Sequence, residues 1–253
     1  MADAHFEEPR LARIYDPLDP DRRDLDAYAA IVEDFGARSV LDIGCGTGTF
    51  AVLLAGRGID VVGADPAAAS LDVARAKAGA DRVRWLQCDA ATLPPLGVDL
   101  VTMTGNVAQV FVADAAWDSA LRGAYRALRS GGRLVFETRD PARRAWREWN
   151  AGATRAHTDI PGVGGVRTWV EVTEVRGPLV RFRSTFAFGA DGAVMTSDST
   201  LRFRDRDEVA GSLARAGFVL DEIRDAPDRP GREMVFVARR PGAGLPTSRC
   251  SRR

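Results

Sequence analysis

Lysine is nearly missing from this sequence: of 35 basic residues only Lys77 is not arginine. The arginines run along the whole chain and do not cluster, which reads as a compositional bias and not as a nucleic-acid surface. Charge of one sign is also lacking, since 35 acids balance the 35 bases, and no global field steers the chain toward nucleic acid or an anionic membrane. Cysteine is scarce, and Cys45, Cys88 and Cys250 are widely spaced with no CxxC pair or Cys/His cluster. That pattern indicates neither a disulfide scaffold nor a metal site. No run of about 18 apolar residues occurs, and the N-terminal stretch MADAHFEEPRLARIYD has no apolar core, so a cytoplasmic chain that spans no membrane is expected. What is present, 45% hydrophobic and 28% charged residues over 253 positions, is the make-up of one large globular domain.

From Ser39 onward, short β-branched runs alternate with helical stretches, the pattern of a mostly parallel sheet covered on both faces. The expected strands are 39–43, 60–64, 83–87, 99–103 and 133–138, with helices over 25–35, 49–57, 67–78 and 117–129, the last stopped by Gly131-Gly132. After Pro141 the period changes to two. Strand-like runs at 167–175, 179–188 and 194–203, separated by Gly177-Pro178 and by the turn at 189–192, predict an antiparallel meander. A helix over 207–216 and strands at 218–224 and 234–239 then resume the α/β pattern. The expected fold is a doubly wound, Rossmann-like, mostly parallel seven-stranded sheet ending in an antiparallel hairpin. Within it, 1–38 form a helical cap, 39–149 a core, 150–204 a β-rich insertion, 205–240 the remainder of the core and 241–253 a disordered tail.

The chemistry-bearing stretch is Val40-Leu41-Asp42-Ile43-Gly44-Cys45-Gly46-Thr47-Gly48, a strand running into a glycine turn that opens a helix. Such a turn lets backbone approach a ligand and points N–H groups at it, although a bare tight turn has the same spelling. Asp65 ends the second strand, where a carboxylate can accept both hydroxyls of a ribose, and Asp89 ends the third, where it can take an adenine amino group. Each acid alone also reads as a cap. Together with the turn, the acids fall at the carboxyl ends of three successive strands and define one crevice. The turn is GxGxG, with Thr49 where the nicotinamide fingerprint would want its third glycine, and it carries no Lys or Arg for a phosphate.

These residues resemble the class I S-adenosylmethionine-dependent methyltransferases, in particular small-molecule enzymes with an added β-rich segment, over about residues 40–240. The resemblance implies S-adenosyl-L-methionine as cofactor, with S-adenosyl-L-homocysteine as product. It implies that Gly44, Cys45, Gly46 and Gly48 line the methionine part with Asp42 near its amino group, that Asp65 and Pro66 lie by the ribose, and that Asp89 and Ala90 hold the adenine. Thr104, Gly105, Asn106 and Gln109 would lie beneath the methionine moiety, and Tyr15 would close over the cofactor; an aromatic there also reads as a packing anchor before a helix.

Methyl transfer asks for alignment, and for a general base only if the acceptor arrives protonated. Asp140 and His157 are the candidates for that base, each of which also reads as an ordinary turn or surface residue. Arg139, Trp146 and Trp169 are candidates for the acceptor side, with a solvated helix face and packing of the added strands as the competing readings. The expected reaction is methylation of an oxygen or nitrogen of a small molecule, by a monomer or homodimer with no nucleic-acid partner; no Asn/Asp-Pro-Pro-Tyr motif follows the fourth strand. The competing reading is a non-catalytic protein that keeps the fold and binds the cofactor or its product.

Overall fold

The computed structural model describes residues 2–226 and 228–242. Three helices open the chain, α1 (Ala4–Glu7), α2 (Pro9–Leu18) and α3 (Asp24–Asp34). The α/β core follows as β1 (Ser39–Ile43), α4 (Thr49–Gly56), β2 (Asp60–Asp65), α5 (Ala68–Arg75), β3 (Val83–Gln87), β4 (Val98–Met103), α6 (Asp114–Ala127) and β5 (Leu128–Arg139). A short α7 (Ala151–Thr154) leads into β6 (Ala156–Ile160), β7 (Gly164–Arg176), β8 (Leu179–Phe188) and β9 (Val194–Arg202). The chain then returns to the core as α8 (Arg206–Arg215), β10 (Val219–Asp225) and β11 (Glu233–Arg239). The stretch from 243 onward, most of the expected tail, lies outside the described residues.

The seven-stranded sheet runs β3-β2-β1-β4-β5-β11-β10, and only β11 opposes its neighbours. The apolar runs VLDI, VVGA and LVTM lie side by side at its centre, with Leu41 opposite Val62 and Val101. Strands buried on both faces must be apolar nearly throughout, which is why these segments do not alternate. Leu25, Tyr28 and Val32 of α3 and Phe50 and Leu54 of α4 cover one face; Trp117 and Leu121 of α6 and Val209 and Leu213 of α8 cover the other. Strand order reverses between β1 and β4, so a crevice opens there at the carboxyl ends of the strands.

The second sheet, β6-β7-β8-β9, is antiparallel. It has four strands where three were expected, because β6 is a short edge strand (AHTDI) with one buried residue and no apolar alternation to announce it. The inward residues of this sheet, Ile160, Val166, Phe186 and Phe188, pack against Leu11 and Ile14 of α2. Tyr15 therefore lies inside a helix and not ahead of one. Gly131-Gly132 also differ from expectation: α6 already ends at Ala127, and the glycine pair sits within β5.

Gly123 of α6 sits hard against the turn that follows β3. A Cβ built there would lie 1.9 Å from the Ala90 carbonyl oxygen. An exposed helical Gly→Ala change stabilises by about 1 kcal/mol, but here the overlap wins, and Gly123→Ala is expected to cost about 1–3 kcal/mol in denaturant unfolding. An unchanged or raised midpoint would show that α6 can move away from the turn.

Candidate active site

At the reversal point the chain leaves β1 through Gly44-Cys45-Gly46. Gly44 and Cys45 donate their N–H groups to the Ala64 carbonyl at the end of β2 (2.7 and 3.2 Å). Asp65 answers from the same strand end. Its Oδ2 accepts from Gly46 N at 2.9 Å and its Oδ1 from Ala67 N at 2.8 Å, which leaves lone pairs on both oxygens turned toward the crevice. Burial pushes this carboxyl above the ordinary carboxylate range.

A cavity of about 400 Å³ occupies the crevice. Its floor is Asp42, Gly44, Cys45 and Gly46, one wall is Asp65, Pro66, Asp89 and Ala90, and the opposite wall is Thr104, Gly105 and Val107. Tyr15 and Phe6 cover it from the N-terminal helices, and Phe111, Ala116 and Thr200 line the end nearest the second sheet. Asp42 is fully buried. Desolvation raises its carboxyl to about 7, although Thr102 Oγ1 donates to Oδ1 at 2.8 Å. Asp89 spends Oδ1 on Ala91 N (2.8 Å). The one basic residue among the described lining residues is Arg22, next to Asp24.

Several expected site residues lie elsewhere. Gly48 faces away from the cavity, and a Cβ there would meet Trp85 at 2.4 Å and Ala74 at 2.8 Å, so its smallness serves packing. Asn106 and Gln109 are buried behind the Thr104-Gly105 wall. Asn106, at φ 62°, donates its backbone N–H to Glu137 Oε1 (2.6 Å) and its Nδ2 to Glu233 Oε1 (3.1 Å). Gln109 accepts from Arg139 Nη1 (3.0 Å), which places Arg139 in this polar cluster beside Trp149 and outside the cavity lining.

Asp140 caps its own short turn by accepting from Ala142 N, and His157 is exposed on β6 with Asp159 3.4 Å away; neither lines the cavity. Trp146 packs on Phe203, while Trp169 pairs with Arg155 and Glu171, so both belong to the added strands' own packing. Cys45 lines the cavity, but burial raises its thiol well above the ordinary range, so it is no ready nucleophile.

Some residues at the site carry no sequence signal. Arg22 sits in a charged turn like many others. His5 lies behind the cover, its ring 5.2 Å from Tyr15 and 4.8 Å from Phe186, with Nε2 buried without a partner; burial lowers it to about 4, so it is neutral near pH 7. Glu137 did leave a trace as the one acid inside the apolar run LVFET, and burial raises it to about 7. Among the described residues no cluster of His, Cys, Asp or Glu could hold a metal, and no helix is long and apolar enough to cross a membrane.

The cavity suits S-adenosylmethionine in its chemistry. The positions a Cβ would fill at Gly46 and Gly105 have no atom within 4 Å, so backbone is bare to a ligand on two sides. Acids outnumber the single base, as a sulfonium and an ammonium require. Fold and site together are similar to those of the class I S-adenosylmethionine-dependent methyltransferases. Residues 40–132 of the chain match the family described as methyltransferase domain.

The sequence is 37% identical over 113 residues to a demethylmenaquinone methyltransferase of Clavibacter sepedonicus, covering 44% of each chain. It is 33% identical over 117 residues to the cypemycin N-terminal methyltransferase of a Streptomyces species, covering 46% of this chain and 48% of that one. Both matches thus span about half of these relatives. Two solved structures are similar over nearly the whole chain. One is a S-adenosylmethionine-dependent methyltransferase from Clostridium acetobutylicum (TM-score 0.75, 16% identity, 92% of this chain and 98% of that one). The other is the sugar N-methyltransferase KedS8 from a Streptoalloteichus species (TM-score 0.71, 25% identity, 90% and 92%).

Asp42 and Glu137 both bind a proton more tightly in the native chain than in the unfolded one. By linkage, stability present near the ordinary carboxylate pKa is lost as pH rises toward about 7. The ligand-free thermal midpoint is expected to fall between pH of about 5 and about 7.5, and Asp42→Asn with Glu137→Gln should flatten that slope. A slope untouched by both changes would place the titration in other groups.

Proposed function

We propose that this protein transfers the methyl group of S-adenosylmethionine to the nitrogen or oxygen of a small molecule. The observation that carries the proposal is the cavity itself: bare backbone and three acids at the carboxyl ends of β1, β2 and β3, opening toward an apolar end beside the second sheet. The sugar N-methyltransferase likeness favours nitrogen as the acceptor atom.

In this reading Asp65 takes the ribose hydroxyls with the lone pairs its backbone contacts leave free. Asp89 and the Ala90 amide take the adenine edge, and Asp42 faces the amino group of the methionine part. Arg22 pairs with the carboxylate, since it is the basic side chain within the described lining. Tyr15 and Phe6 cover the bound molecule from α2 and α1, and β6–β9 with the segment from 150 to 204 form a lid whose Thr200 reaches the acceptor end.

The cofactor, when bound, supplies an electrophilic methyl on a cationic sulfur. The protein's contribution is to align an acceptor lone pair with that methyl and to keep water out, effects worth several kcal/mol when well executed. Held by Asp42, Asp65 and Asp89, the cofactor would supply both the methyl and, in its sulfur, the place for the electron pair of the broken bond. An amine that arrives neutral sheds its proton to solvent afterwards, so no base is required among Phe111, Ala116 and Thr200. The acids that balance the sulfonium lose that attraction in the product, which favours its exchange for fresh cofactor.

Isothermal titration with S-adenosylmethionine tests the reading. Asp65→Ala and Asp89→Ala are each expected to weaken binding by about 1–3 kcal/mol, the worth of a hydrogen bond to a charged group. Affinity should also rise with pH through about 7 as Asp42 ionises opposite the ammonium. Wild-type affinity preserved in both alanine variants would remove the assignment. Methylation of simple amino and hydroxyl acceptors by the purified protein would then decide between nitrogen and oxygen.

A further inference from the structure

The one lysine of the chain lies in a charged clasp outside the cavity. Lys77 Nζ stands 2.7 Å from Asp16 Oδ2 and donates to Thr49 Oγ1 at 2.6 Å. Asp16 Oδ1 in turn accepts from Thr47 Oγ1 at 2.7 Å and from Thr49 Oγ1 at 3.1 Å. Four side chains thereby join three pieces of backbone: α2, the glycine turn with the first residue of α4, and the segment just after α5. Asp16 and Lys77 do not line the cavity, but what they hold does. Tyr15 adjoins Asp16 in α2, and Thr47 and Thr49 belong to the lining.

The clasp is distinct from the packing that keeps α2 in place. The apolar side of α2, Leu11 and Ile14, is buried against Ile160, Val166 and Phe186 of the second sheet. Were the clasp opened, α2 would remain docked on that sheet while its polar edge, next to Tyr15, came away from the glycine turn. The ion pair is about three-quarters shielded from solvent, so its charges are less screened than those of a surface pair, and one lost partner leaves the other badly solvated.

We propose that Asp16 and Lys77 are positioning residues that hold the Tyr15 cover against the glycine turn and so set the affinity for S-adenosylmethionine. This rests on the reading of the cavity as the cofactor site. A clasp that closes over bound cofactor has a second consequence: Lys77 should be least accessible when the cavity is filled. Because it is the sole lysine, an amine-reactive acylating reagent reports on it without interference from another side chain, and peptide mass spectrometry separates it from the N-terminal amine.

The test combines calorimetric titration with S-adenosylhomocysteine and the rate of Lys77 acylation, on the full chain. Asp16→Asn and Lys77→Met should each weaken binding by roughly tenfold or more, and Lys77→Arg, which keeps the charge and a donor, should restore most of it. In the wild type S-adenosylhomocysteine should slow acylation of Lys77, whereas in Asp16→Asn the protection should disappear. A merely stabilising pair would lower the unfolding midpoint in Asp16→Asn and Lys77→Met alike while leaving affinity and ligand protection of the folded protein unchanged, and that result would overturn the clasp. A folded wild type that binds neither S-adenosylmethionine nor its product would remove the cofactor reading, and this proposal with it. Tight wild-type binding with both variants within about twofold of it would remove only the clasp.

Discussion

The carboxylate of Asp65 bridges two strands that the sheet alone would leave free at their ends. β1 and β2 are paired up to Ile43 and Ala64, and beyond that register the Ala64 carbonyl takes Gly44 and Cys45 but leaves the Gly46 and Ala67 amides without an acceptor from the ladder. Asp65 supplies the missing acceptors, one oxygen to Gly46 and the other to Ala67, and thereby fixes where α4 and α5 begin. Fixing the turn fixes the cavity floor, to which Gly46 belongs. The wall made by Thr104 and Gly105 is held in the same manner, with Glu137 accepting from the Asn106 amide. Floor and wall are thus each oriented by a buried carboxylate that accepts a backbone N–H group.

Charge neutrality over the chain conceals a strong local imbalance. Acids collect where the parallel strands end, and basic side chains are kept to the outside or are tied to carboxylates, as Arg139 and Arg229 are by Glu233. Desolvation raises Asp42 and Asp65, and no cation of the described residues offsets it. In the proposed complex a dication–monoanion such as S-adenosylmethionine would relieve that cost, with Arg22 of the lining toward its one anionic group.

How much of this was readable beforehand follows from the range of the interactions. The glycine turn, Asp65 and Asp89 were legible because strand, turn and helix succeed one another within a few residues, and their place at the strand ends follows from the alternating pattern alone. The central strands were legible through their unbroken apolar runs. Gly48 was misplaced because a glycine needed for approach and a glycine needed for Trp85 to fit look alike in sequence. Asn106 and Gln109 were misplaced because their partners, Glu233 and Arg139, stand 127 and 30 residues away. His5 was hidden by the same kind of distance, its neighbours being Ser197 and Phe186, and Arg22 by a charged turn like many others. Trp146 and Trp169 read either as acceptor-side aromatics or as packing for the added strands, and only the three-dimensional structure decides, with their faces taken by Phe203 and by Arg155.

The apolar side of α2, with Arg10 and His5 near it, finds its partners late in the chain. Leu11 and Ile14 pack on Ile160, Val166 and Phe186; Arg10 pairs with Asp191; the His5 amide donates to Ser197. Such separations carry a loop-closure cost that no local contact repays early. On the ribosome α2 is made well before β6 to β9, and its apolar face stays uncovered until they follow. The cover of the cavity is therefore synthesised ahead of the strands it packs on and is among the last parts to acquire its native contacts, so the glycine turn and the crevice take shape before anything closes over them.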